Sequence, residues 1–182
     1  MKLFIDTATK YLYVGLLDEG IIELVSKVGN NDHSKTLMVE IEDLFNRHNI
    51  ELTDIEEIII GEGPGSYTGV RIGVVVAKTL AHFNDIPLRS VSTLEVLAST
   101  RSGIVPVMID ARRGSVFSAV YDVDNNFKVL LEPKMRVEAE FLNEYENVVT
   151  IDNADIKPHL LNTKFVENVH TFTPNYLREW GE

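Results

Sequence analysis

Cysteine is absent from the 182-residue sequence. Disulfides and thiolate metal sites are therefore excluded, and a cytoplasmic location is the expectation. Histidine is scarce, with five residues, and no HExxH or HxxxH pair occurs among them. The usual imidazole metal motifs are thus missing. Positive charge is also in short supply: 17 basic residues stand against 28 acidic ones, for a formal net charge of -11. An acidic surface repels phosphate backbones, so nucleic acid would be met only through a partner that supplies basic surface. No long uninterrupted apolar run occurs. The opening MKLFIDTATK reaches Asp6 and Thr7 after three apolar residues, too few for a signal-peptide core. The longest apolar stretch, 70–83, holds Arg71, Lys78 and His82, so no membrane span fits. What is present is ordinary for a globular protein, 45% apolar and 25% charged, with length for one domain or two small lobes.

The chain reads as an α/β protein. Residues 2–6, 11–18 and 21–28 are predicted strands, dense in β-branched and aromatic side chains and joined by short turns. Leu37, Met38, Ile41, Leu44, Phe45 and His48 recur at helical spacing over 34–48, with Asp32 or Ser34 as the cap. A buried strand over 57–60, a helix to about residue 83, a short strand LRSV and a helix from Thr93, itself the expected cap, follow. TRSG at 100–103 reads as a hinge. Residues 107–122 then echo residues 3–18 without a gap: Ile5 matches Ile109, Asp6 matches Asp110, and Asp18 matches Asp122. A third strand over 127–131 and a helix over 138–145 complete the second copy. The duplication suggests two ribonuclease-H-like lobes, 1–102 and 103–182, in the actin-like arrangement. There the two first-hairpin turns face each other across a nucleotide cleft, with Asp6, Thr9, Asp110 and Arg112 as its vestige. In such a cleft Asp6 and Asp110 would hold Mg²⁺ through water if a nucleotide bound. Against this, Thr7-Ala8-Thr9 lacks the glycine that brings a backbone close to phosphates. The basic turn Ala111-Arg112-Arg113-Gly114 is equally suited to a neighbour's carboxylates.

GEGPGSYTGVRIG, residues 61–73, lies where strand gives way to helix. Walker A requires a lysine and a hydroxyl residue after its last glycine, and Gly69 is followed by Val70 and Arg71. The dinucleotide fingerprint fails because Ser66 stands at its third glycine, and Glu62 opposes a phosphate. A helix N-terminus still attracts anions, but the favoured reading is a structural turn, type II, with Pro64 and Gly65 at its centre. In the following helix Gly69, Gly73, Ala77 and Ala81 form a row at four-residue spacing. Helical glycine costs about 1 kcal/mol relative to alanine, so the row needs a reason. Small residues let another body approach closely. That body is either the 34–48 helix of the same chain or a partner as well. Leu37, Met38, Ile41, Phe45, Gly69, Arg71, Ile72, Gly73, Val76, Ala77 and Leu80 are the expected partner surface. A serine-hydrolase order, Ser66 with Asp110 and His159 or His170, lacks the nucleophile elbow, because Pro64 and Thr68 hold its glycine positions.

IDTAT, HS at 33 and 34, GPGSYTGVRIG, AKTLA, IPLRSVSTLEVLA, IDARRG and PNYLR together resemble the TsaB (YeaZ) family over nearly the whole chain. The resemblance implies the actin-like ATPase superfamily fold. It also implies a role beside TsaD in forming threonylcarbamoyladenosine next to the tRNA anticodon. It implies a homodimer when alone, a heterodimer with TsaD through the helices after HS and GPGS, and contact with tRNA only through the complex. TsaE joins that complex, and ATP with Mg²⁺ is expected only there. No cofactor or metal is expected on this chain, and no membrane contact. TsaD proteins carry V-N-H-L-E-G-H where this sequence has VSTLEVL; Thr93 and Leu97 replace the two metal-binding histidines. The resemblance therefore implies a noncatalytic relative, against the older metallopeptidase label and against an ATP-binding enzyme in its own right. Family members are usually longer, which implies an abbreviated second lobe.

Overall fold

Leu3, Phe4 and Ile5 are consecutive and all fully buried, which requires a strand covered on both faces. A computed structural model describing residues 1–29 and 33–177 places that strand, β1 (Lys2–Asp6), at the centre of a mixed sheet. β2 (Tyr11–Leu17) and β3 (Ile21–Val28) continue from it as an antiparallel meander. On the other side β4 (Glu57–Gly61) and β5 (Leu88–Val91) run parallel to it, reached through crossover helices α1 (His33–His48) and α2 (Tyr67–Phe83). The order β3-β2-β1-β4-β5 is the ribonuclease-H-like arrangement anticipated from the duplication.

The alternation within the strands feeds two cores. Leu3, Ile5, Val14 and Ile60 face α1 and α2. Phe4, Tyr13, Leu17 and Ile59 face the opposite way, onto α3 (Thr93–Ala98) and a second sheet. That sheet is an antiparallel meander of β6 (Ile104–Arg112), β7 (Ser115–Asp122) and β8 (Lys128–Val137). Its outer face is closed by Phe141 of α4 (Glu138–Glu144), which packs on Val116 and Val120. The third strand of the second meander is longer than the expected 127–131 segment.

Several expectations need correcting. The gap-free alignment holds along the second strand of each hairpin and slips on the first. Ile5 pairs with Val14, whereas Ser118, the counterpart of Val14, pairs with Met108 and not with Ile109. A bulge between Asp110 and Arg112 absorbs the extra residue. A one-residue slip reverses the faces, so Ile5 meets the helices while Ile109 meets the core between the sheets. The lobe boundary also changes. The chain does not stay in the second lobe to its end: β9 (Lys164–Phe165) pairs antiparallel with β5 in the first sheet. Val166, Val169 and Phe172 join the α1–α2 core. Thr93 is not the α3 cap. Ser92 is, its hydroxyl accepting from Leu94 N. The Asp32 or Ser34 cap and Arg178 of PNYLR lie outside the described residues and side chains. The turn before α2 is not type II, since the positive φ falls on Gly63 (+99°), before a cis bond to Pro64, and not on Gly65.

Candidate functional site

Three motifs meet at the end of β1. The Thr7 hydroxyl donates to the Gly69 carbonyl at 2.7 Å, and Ser66 N donates to the Ala8 carbonyl at 2.6 Å. A Cβ added at Gly65 would lie less than 3.0 Å from the Ala8 carbonyl oxygen, and one at Gly69 less than 3.0 Å from the Thr7 carbonyl oxygen. One at Gly73 would lie as close to the Thr7 hydroxyl. Real Cβ atoms essentially never approach so near. The row Gly69, Gly73, Ala77 and Ala81 is therefore buried against this chain's own strand end and sheet. This corrects the expectation that the row receives a neighbouring polypeptide: the close body is Thr7-Ala8. Leu37 and Ile41 are likewise in the core beneath α1.

The third motif closes the junction from α3. Thr93 Oγ1 donates to Asp6 Oδ2 at 2.9 Å, and Ala8 N donates to Asp6 Oδ1 at 2.8 Å. A Cβ on Gly61 would collide with the same carboxyl. Asp6 is 1% exposed. Burial, opposed by those two hydrogen bonds, raises its pKa to about 6. Asp110 is exposed, and its Oδ1 accepts an Asx-turn bond from Arg112 N at 2.7 Å. The two aspartates thus share a local motif but not an environment. Thr9 is buried in its own turn, bonded to Tyr11, while Arg112 lies exposed at a φ of 69°. Asp6 and Thr9 are thus buried, while Asp110 and Arg112 are exposed. With both Asp6 oxygens engaged inside the fold, that carboxyl does not fit a water-bridged Mg²⁺. The hydrolase order is not assembled either: Ser66 Oγ accepts from Gly69 N as the α2 cap, and His170 packs edge-on against His82.

Part of what α1 and α2 leave outside is apolar, beside exposed Lys35, Glu42, Asp43, Asn46 and Thr79. Lys27 pairs with Glu40, and Glu23 with Arg47 and His48, fastening one side of α1 to β3. Elsewhere on α1, Met38 is exposed and Phe45 is half-buried against the core. On α2, Ile72, Val76 and Leu80 are only partly covered, Val75 is 61% exposed and Phe83 78%. The polar stripe of α2 is engaged by the C-terminal segment, with Arg71 and His82 still exposed. Lys78 Nζ donates to the carbonyls of His170 and Phe172, and Arg71 Nε to the Tyr176 hydroxyl at 2.9 Å. Asn175 N bonds the Glu62 carbonyl. Sequence reasoning missed this strap, and PNYLR was its only signal. It also missed Glu95, which accepts from Asn162 N just before β9. Burial raises its pKa to about 7, against that bond and Lys164.

Comparison with known proteins agrees on one family. The family model for TsaD, tRNA N6-adenosine threonylcarbamoyltransferase, matches residues 24–177. The tRNA threonylcarbamoyladenosine biosynthesis protein TsaB of Bacillus subtilis (strain 168) is 37% identical over 166 residues, covering 86% of this chain and 72% of its own length. The protein of the same name from Escherichia coli (strain K12) is 36% identical over 129 residues, covering 68% of this chain and 56% of its own. The chain thus spans little more than half the length of the second relative. The structure of YeaZ from Pseudomonas aeruginosa superposes with a TM-score of 0.67 at 30% identity, over 75% of this chain and 66% of that one. Another Pseudomonas aeruginosa structure, of a protein with similarity to peptidase YEAZ, gives 0.81 over 97% and 99% of the two chains. At 24% identity it speaks for the fold alone.

Proposed function

The chain belongs to the TsaB family of tRNA threonylcarbamoyladenosine biosynthesis proteins, within the group matched by the TsaD model, and we propose that it acts there as a noncatalytic subunit that docks TsaD. The observation that carries this reading is the uncovered apolar face of α1 and α2. Met38 on α1 and Val75 and Phe83 on α2 are exposed, and Ile72 and Val76 are only partly covered. Contiguous exposed apolar surface on structured elements marks interaction sites. Leu37, Ile41, Gly69, Gly73 and Ala77 support that face from beneath and do not touch the partner. Alone, the chain uses the same face for a homodimer. TsaE and tRNA are met through the complex.

The noncatalytic part of the reading rests on α3. At the two positions where the TsaD motif carries histidines, Thr93 spends its hydroxyl on Asp6, and Leu97 is buried in the core between the sheets. Neither side chain can replace an imidazole ligand. The test is titration with the TsaD protein of the same organism, followed by calorimetry or sedimentation. Val75→Asp places a charge at the centre of the face and is expected to weaken association about tenfold or more while leaving thermal stability unchanged. Unaltered affinity in that variant, or ATP turnover by the chain alone, overturns the reading.

A further inference from the structure

Three basic side chains line one edge of α2, and they are used differently. Lys78 is consumed by two carbonyls of the strap, and His82 packs against His170. Arg71 is held by rings. Its Nε donates to the Tyr176 hydroxyl, and its guanidinium carbon lies 4.1 Å from the centroid of the Tyr67 ring. The two tyrosine rings are 5.0 Å apart. Among the described residues no carboxylate forms an ion pair with Arg71, although the chain carries 28 acidic residues. The side chain is exposed, and Val75 lies one helical turn along, so the guanidinium borders the uncovered apolar face.

The guanidinium is held by Tyr176 and by Tyr67, through its ring face and hydroxyl, and the N–H groups left on its planar fork match a carboxylate. Orienting it in advance lowers the entropy lost on binding. Tyrosine and arginine are also the side chains that most often dominate interface energetics. Resting on the docking reading above, we propose that Arg71 determines partner specificity by reading a carboxylate on TsaD. Tyr176, delivered from the far end of the chain, is the positioning residue that aims it. The C-terminal segment then helps to set the register of the docked partner as well as fastening α2.

The experiment measures the dissociation constant with TsaD at several salt concentrations. The proteins compared are the native chain, Arg71→Ala, Arg71→Lys and Tyr176→Phe, each with its melting temperature. Arg71→Ala is expected to bind about tenfold more weakly, with a flatter salt dependence, because a charge pair is lost. Arg71→Lys restores the salt dependence but only part of the affinity. Tyr176→Phe costs about threefold with an unchanged melting temperature, because only the aiming hydrogen bond is removed. If Arg71→Ala fails to fold, the two conservative variants carry the test. Variants that bind within twofold of the native chain, or an Arg71→Ala loss with undiminished salt dependence, reduce Arg71 to a fastener of the strap and overturn the inference. A native chain that does not bind TsaD at all defeats the docking reading itself, a different result.

Discussion

The two hairpins that open the two sheets are built on one plan and end in opposite environments. Each has an aspartate at or near the end of its first strand that accepts from the backbone N–H two residues on, at 2.8 Å for Asp6 and 2.7 Å for Asp110. The first turn is packed under α2 and α3, and none of Thr7, Ala8, Thr9 or Lys10 has a positive φ. The second turn projects into solvent with Arg112, Arg113 and Gly114 all left-handed, at 69°, 55° and 73°. Local hydrogen bonding is therefore the same, and what differs is what each turn receives from elsewhere. Gly65, Gly69, Gly73 and Thr93 make room for and bind the first. The second gains one backbone bond from Glu138 N to the Gly114 carbonyl. Duplication preserved the turn, and long-range packing decided which copy became a keystone.

The sharpest way to break this contrast is to add one methyl group to each side. Gly69→Ala gains up to about 1 kcal/mol of helix propensity. Its Cβ, however, would lie less than 3.0 Å from the Thr7 backbone oxygen, directly after the central strand β1. Relieving that overlap also breaks the Thr7–Gly69 hydrogen bond. The expected net loss is about 3 kcal/mol of unfolding free energy, read by urea denaturation. Gly114→Ala meets no atom within 4 Å and bears only the strain of its positive φ, about 1 kcal/mol. Equal losses in the two variants would erase the distinction between keystone and free turn.

The buried carboxyl gives the next largest effect. Asp6 has a folded pKa raised from 3.8 to about 6, so between those values the native state holds a proton that the unfolded chain has released. The contribution of the protonated form is fully present below the unfolded pKa and is lost as pH rises through about 6. The loss is on the order of 3 kcal/mol. Asp6→Asn carries no proton to lose. The stability difference between native chain and variant should therefore change across this window, in the sense that the native chain weakens with rising pH. Glu95, raised in the same direction, is common to both proteins and cancels.

Much of this was legible in the residues, and the limits have a physical pattern. Element positions followed from alternation and helical spacing, because Leu3, Ile5, Leu37, Ile41 and Leu44 obey the periodicity of the surface they bury. The importance of GPGSYTGVRIG was also visible, since helical glycines at four-residue spacing demand a close neighbour. Which neighbour was not visible. Thr7 and Ala8 lie more than fifty residues earlier, and no local pattern reports a contact formed by crossover topology. For the same reason Thr93 looked like a cap when its hydroxyl bonds Asp6. The return of residues 164–177 to the first sheet was hidden because a two-residue strand carries no period. The outer face of α2 was easier to read: Ile72, Val75, Val76 and Phe83 are more apolar than a helix needs on its solvent side.

The smallest expected effect tests whether the second turn is held in its strained shape by sequence alone. Arg113 and Gly114 form the two central positions between Arg112 and Ser115, and both have positive φ. Such two-residue loops prefer Asn-Gly, because asparagine tolerates the left-handed region that a long side chain resists. Arg113→Asn should therefore stabilise the protein by about 0.5 to 1 kcal/mol, measured as a raised denaturation midpoint with an unchanged slope. The first hairpin offers no such gain, because none of its turn residues is left-handed. A stability loss in Arg113→Asn would mean that the exposed arginine is held by its surroundings. The second turn would then be as context-bound as the first, and the contrast between the hairpins would narrow to the burial of their aspartates.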